Sequence, residues 1–137
     1  MWGADRLDDL AAAADVFVVA APLTSDTEAL IDARRIALLK PGAWLVNVAR
    51  GQLVDEAALV VALASGALAG AALDVFAHEP LPAASPLWRA PNLLITPHTS
   101  GFRHGHWDDT VDVFIDNLRR WDRGEPVQWP VDAARGY

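Results

Sequence analysis

Cysteine is missing from the chain altogether. Its absence removes disulfides and thiolate metal sites and fits a reducing compartment. Basic runs are missing too. With 18 acidic against 11 basic residues the formal charge is -7, so nucleic acid is not an expected partner. The N-terminus, Met1-Trp2-Gly3-Ala4-Asp5, has neither the basic start nor the apolar core of a signal peptide. One long stretch, Ala57 to Leu73, carries no charge, but its residues are mostly small and Ser65-Gly66 breaks it. It reads as a helix end, a turn and a strand start, not as a membrane span. These absences lead us to expect a cytoplasmic location, no membrane partner and no metal.

What remains is a globular composition. The 137 residues are 53% hydrophobic and 21% charged, enough for one domain with a real core. The first segment, Asp5 to Leu10 and the four alanines after it, is helix-prone, with Leu7 and Leu10 on one face. Val16 to Ala20 is a continuous apolar run and predicts a buried strand, stopped by Pro22. A polar loop follows, and Glu28 to Ile31 predicts a single helical turn. Asp32 is placed to cap a short helix from Ala33 to Leu39. Pro41-Gly42 introduces a second strand, Ala43 to Val48, and Asp55 opens a helix through Ala64 with Gly66 at its C-terminal cap. Leu68 to Leu73 and Leu93 to Ile95 predict two more strands, separated by a Pro-rich loop from Val75 to Pro91 that is too long for idle packing. Trp107 to Arg123 shows helical spacing at Val111, Phe114, Ile115 and Leu118. The tail from Gly124 is expected to turn away from that helix.

Strands alternating with helices predict a parallel sheet in an α/β fold. Parallel strands put their C-terminal ends along one edge, the edge at which open α/β sheets bind ligands. Arg50, Asp74, Glu79 and His98 all fall at or just beyond such ends. A histidine beside a carboxylate is a tuned acid/base pair. An arginine presents a planar fork suited to a substrate carboxylate. Taken singly, each residue has a structural explanation, such as a turn cap or a solvated loop acid. Together on one edge they suggest acid/base chemistry on a small oxo or hydroxy acid.

Three segments carry a specific resemblance. They are Val46-Asn47-Val48-Ala49-Arg50-Gly51, Leu73-Asp74-Val75-Phe76 with His78-Glu79-Pro80-Leu81-Pro82, and Pro91-Asn92-Leu93 with Thr96-Pro97-His98-Thr99-Ser100-Gly101. In order and spacing the chain resembles the D-isomer-specific 2-hydroxyacid dehydrogenases from about Asp5 to Asp132, with the glyoxylate and hydroxypyruvate reductases as the nearest branch. The resemblance implies an oxidoreductase that interconverts 2-oxo acids and D-2-hydroxy acids with NAD or NADP. It implies a partial Rossmann-like, mainly parallel sheet with flanking helices and a C-terminal helix. It assigns His98 to proton transfer at the substrate C2 oxygen, Glu79 to support of His98, and Arg50 to the substrate carboxylate. Asp74 would hold the nicotinamide carboxamide. Pro22, Thr27, Val48 and Ala49 would line the dinucleotide path, with Ser100 and Gly101 beside the nicotinamide.

The sequence departs from that pattern in one respect. No Gly-x-Gly-x-x-Gly occurs in it, although a dinucleotide fold rests its pyrophosphate on such a turn. The resemblance therefore implies the C-terminal part of such an enzyme. About residues 1–102 would belong to the NAD-binding domain and about 103–137 to a C-terminal helix and tail, together one domain. Self-association or a partner chain is expected. Two alternatives stand beside the enzyme: an inactive remnant acting as an interaction module, and an NAD-sensing binding protein like the co-repressors of the family.

Overall fold

The computed structural model describes residues 3–134. Met1, Trp2 and the last three residues of the expected tail lie outside the described residues. The chain forms two compact units, Met1–Ser100 and Gly101–Tyr137.

The first unit is a four-stranded parallel sheet in the order β1-β2-β3-β4. Its strands are β1 (Val16–Val19), β2 (Trp44–Asn47), β3 (Gly70–Leu73) and β4 (Leu93–Ile95). Val18, Val46, Ala72 and Leu94 stand side by side across it. Helices α1 (Leu7–Ala13), α2 (Ala33–Leu38) and α3 (Glu56–Ala64) connect and flank the strands. Ala11, Ile36, Leu59 and Leu63 from these helices share one core with Phe17, Val19, Leu45, Ala71 and Leu73 from the sheet. The opposite sheet face is open: Val16, Val18 and Leu94 are 57%, 55% and 62% exposed. The alternation follows from the two-residue period of a strand, which sends successive side chains to opposite faces.

Both predicted aspartate caps are in place. Asp32 accepts from the Arg35 N–H at 2.8 Å, and Asp55 from the Ala58 N–H at 2.9 Å. Gly66 follows α3 at φ 73°, the left-handed geometry that suits glycine at a helix end.

Several expectations are corrected. Glu28 to Ile31 is not a helical turn. Ala29 adopts φ 51°, and the Ala29 and Ile31 N–H groups donate to Gln52 O and Leu53 O at 2.9 and 2.8 Å. The segment thus leaves helical geometry and ends in a parallel bridge between Ile31 and Val54. On α1 Ala11 is buried and Leu7 packs against the core, as expected for Leu7, whereas Leu10 is exposed. β3 begins at Gly70, not Leu68, because the ladder with β2 starts there. Within the Pro-rich loop, Pro86–Arg89 forms a 3-10 turn capped by Ser85.

The second unit contains α4 (His106–Asp122), none of whose residues is buried. Its tail does not turn away as expected. Asn117 clasps Gln128 by two hydrogen bonds, donating from Nδ2 to Gln128 O at 3.2 Å and accepting from Gln128 N at 2.7 Å. A side-chain amide mimics a strand partner here and draws the tail back along the helix.

Candidate active site

The parallel ladder delivers the ends of β2, β3 and β4 to one edge. Two buried polar residues, Asn47 and Asp74, hold the loops after β2 and β4. After β2, Asn47 is 1% exposed. It accepts from the Ala49 N–H at 3.0 Å and donates to Arg50 O at 2.9 Å, which folds the turn that presents the exposed Arg50. Gly51 then runs against the loop after β3. A Cβ on it would lie 1.8 Å from the Phe76 carbonyl carbon, so only glycine permits the approach.

After β3, Asp74 is 3% exposed. Its Oδ1 accepts from Thr96 Oγ1 at 2.5 Å and Thr99 N at 2.9 Å, and its Oδ2 from Ser100 N at 2.8 Å. These bonds close the loop after β4 around His98. His98 itself sits at φ 55°, a left-handed geometry uncommon outside glycine. Burial pushes the Asp74 carboxyl up, but hydrogen bonds from Ser100, Thr96 and Thr99 outweigh it and hold the carboxyl well below the usual carboxylate range.

A depressed folded-state value means that Asp74 contributes fully above the ordinary aspartate value of 3.8 and that the contribution is lost as pH falls below it. Asp74→Asn should therefore destabilise the chain by about 3 kcal/mol at neutral pH. The gap to wild type should narrow in acid. Urea unfolding of both proteins at about pH 7 and about pH 3 measures this. An equal gap at both values would show that the carboxylate charge is not what the loop uses.

The two loops meet at Glu79 and His98. Glu79 Oε1 accepts from the Phe76 N–H, and Oε2 lies against His98 Nδ1, both at 2.8 Å. Since a carboxylate only accepts, Nδ1–H is the donor and Nε2 is left for other work. His98, the Phe76 N–H and the charge of Arg50 hold the Glu79 carboxyl below its usual value, against a smaller opposing effect of burial. Beside the pair lies a pocket of about 560 Å³. Phe76, Leu81, Trp88 and Ile95 are among its apolar walls, and Glu79 and His98 are its charged or ionisable groups.

The structure thus brings Glu79, His98 and the charge of Arg50 together, with Asp74, Thr96 and Ser100 as the support of the His98 loop. Val48 is exposed and Ala49 buried in the Arg50 turn. Pro22 and Thr27 form their own turn after β1, where Thr27 Oγ1 donates to Pro22 O at 2.7 Å. They share no hydrogen bond with the His98 group among the described residues. Gly101 begins the second unit. Sequence reasoning singled out neither Asn47 nor Thr96 for a site role. A polar residue ending an apolar strand was the available signal for Asn47.

A parallel, helix-flanked sheet with Glu79, His98 and Arg50 at its C-terminal edge defines a Rossmann-like α/β domain. The profile of the D-isomer specific 2-hydroxyacid dehydrogenase NAD-binding domain matches residues 2–100, and the chain belongs to that family. A D-isomer specific 2-hydroxyacid dehydrogenase from Xanthobacter autotrophicus Py2, crystallised with NADPH and MES, is 46% identical with a TM-score of 0.90, covering 98% of this chain and 55% of that one. The NADPH-dependent glyoxylate/hydroxypyruvate reductase of Sinorhizobium meliloti, crystallised with NADP and sulfate, is 32% identical with a TM-score of 0.92, covering 99% and 44%. Glyoxylate/hydroxypyruvate reductase A of Salmonella newport is 43% identical over 116 residues, 85% of this chain and 36% of that protein. The chain therefore spans well under two thirds of these relatives. No helix among the described residues is long and apolar enough to cross a membrane.

The residues present suit one part of a nicotinamide dinucleotide. Val48, Arg50, His98 and Ser100 are exposed on the C-terminal edge of the sheet, the edge at which open α/β sheets bind ligands. These 137 residues contain no Gly-x-Gly-x-x-Gly, the turn on which a dinucleotide fold rests its pyrophosphate.

Proposed function

We propose that this chain carries the proton-transfer and substrate-anchoring part of an NAD(P)-dependent reduction of a small 2-oxo acid to a D-2-hydroxy acid, or the reverse. The observation that carries the reading is the 2.8 Å contact between His98 Nδ1 and Glu79 Oε2 at the sheet edge. In this reading His98 gives a proton from Nε2 to the C2 oxygen during reduction and removes it during oxidation. Glu79 fixes the tautomer and stabilises the imidazolium. Arg50 binds the substrate carboxylate and polarises the neighbouring carbonyl. When bound, NAD(P)H supplies the hydride. Asp74 would meet the carboxamide, while Pro22, Thr27, Val48, Ala49, Ser100 and Gly101 would follow the dinucleotide. Glyoxylate and hydroxypyruvate are the proposed substrates, by the names of the Salmonella and Sinorhizobium relatives. Residues up to about 102 would form the cofactor-domain part and the rest the C-terminal helix and tail.

One observation favours a second reading, a non-catalytic module that pairs with a relative or a second copy. The sheet face of Val16, Val18 and Leu94 is open, and β1 is an edge strand, a combination that templates association.

The test compares two proteins: the chain by itself, and a fusion of it to the remainder of the Salmonella relative. The chain alone should bind NAD(P)H weakly or not at all by calorimetry, because a helix N-terminus and Gly-rich turn supply the pyrophosphate contacts. The fusion should consume NAD(P)H in the presence of glyoxylate. Tight cofactor binding by the chain alone would overturn its reading as one part of the cofactor site, and a folded but inactive fusion would overturn the enzymatic reading.

A further inference from the structure

We propose that Glu56 is a positioning residue for the Glu79–His98 pair, acting through the backbone of Phe76 and Ala77. The proposal rests on the reading of that pair given above.

The segment that follows Arg50 grips the Phe76–Ala77 backbone at three points. Gly51 packs so closely that a Cβ would lie 2.1 Å from Ala77 N. Gln52 Nε2 donates to Ala77 O at 3.2 Å. Glu56, in the first turn of α3, accepts from the Ala77 N–H through Oε1 at 2.7 Å. The adjacent Phe76 N–H donates to Glu79 at 2.8 Å, and the other oxygen of Glu79 meets His98. Two consecutive N–H groups thus each end on a glutamate, one from α3 and one from the pair. The Phe76 N–H lies in the planar peptide before the Phe76 Cα and the Ala77 N–H in the one after it. By fixing the second plane, Glu56 restricts the Phe76 dihedrals and so helps to aim the Phe76 N–H at Glu79. The same grip links the turn that carries Arg50 to the loop that carries Glu79.

The charged and ionisable groups that act on Glu79 are His98, from the loop after β4, and Arg50, from the turn after β2. With the Phe76 N–H they hold its carboxyl below the ordinary value of 4.5. If Glu56 positions this arrangement, Glu56→Ala lets Ala77 turn, loosens the bonds to Glu79, and raises the titration midpoint of Glu79. Loss of the Glu56 charge by itself would act in the opposite direction, because removing a nearby negative charge eases ionisation. The sign therefore separates positioning from bare electrostatics. Glu56→Gln keeps an oxygen that can accept the Ala77 N–H, and should hold Glu79 near its wild-type midpoint.

The experiment is a carbon-13 NMR titration of the side-chain carboxyls in the 137-residue chain, which has only four glutamates, Glu28, Glu56, Glu79 and Glu125. His98→Ala, which leaves no donor for Glu79, provides the reference rise. Glu56→Ala should give at least half of that rise, and Glu56→Gln little of it. A rise in His98→Ala with none in Glu56→Ala overturns the positioning role and leaves the pair intact. No rise in His98→Ala removes the pair, and this proposal with it. The wild-type chain offers a second measurement that does not depend on a variant folding. The Ala77 amide proton should move with the titration of Glu56, and the Phe76 amide proton with that of Glu79. An Ala77 amide that ignores Glu56 overturns the proposal.

Discussion

His98→Asn in the fusion enzyme should lower kcat for 2-oxo acid reduction about 10²- to 10⁴-fold, the usual loss when a positioned acid/base group is removed. The expectation follows from the geometry around Nδ1. That nitrogen is taken by Glu79 at 2.8 Å, so any proton passed to a substrate must come from Nε2. Asparagine can reach toward Glu79 but offers no ionisable group. The fold should survive, because the loop is closed by Asp74 through Thr96, Thr99 and Ser100 and not by the imidazole. KM should change far less than kcat if the ring acts mainly in the transition state. Steady-state kinetics with glyoxylate decide the matter. Turnover within a few-fold of the parent fusion would take proton transfer away from His98.

Arg50→Ala should cost on the order of 2–5 kcal/mol in kcat/KM in the same fusion, the range for truncating one partner of a desolvated charge pair. Arg50 is exposed in the chain by itself, and its guanidinium bond here goes to its own neighbour, Ala49 O, at 2.6 Å. The side chain is therefore not needed to hold the turn. Asn47 does that, through Ala49 N and Arg50 O. Loss of the side chain should leave the melting temperature almost unchanged and the carboxylate unanchored. Arg50→Lys should recover only part of the loss, because an ammonium cannot make the two parallel bonds of a guanidinium fork. A variant with unchanged kcat/KM would make Arg50 a loop residue and no more.

Local order was legible in the sequence wherever one short segment holds the whole signal. The apolar runs of β1 and β2 needed no partner to be recognised. Asp32 and Asp55 each cap the helix that follows by accepting an N–H three residues on, and Gly66 adopts the left-handed turn just past α3. The edge carrying Arg50, Asp74, Glu79 and His98 was legible too, because parallel strands force their ends together. The failures share one cause. Glu28 to Ile31 has helical composition, yet the Ala29 and Ile31 N–H groups go to Gln52 and Leu53, more than twenty residues on. The tail after α4 looks free until Asn117 and Gln128 meet.

The sequence by itself therefore determined the strands, the caps, the family and the set of reactive residue types. Only the tertiary structure decided what each of those residues is bonded to. Asp74 lies 22 residues before Thr96, and Glu56 lies 21 before Ala77. Neither spacing carries a periodic signal. Such pairs exist because backbone donors buried between packed loops must find acceptors once the sheet has brought those loops together.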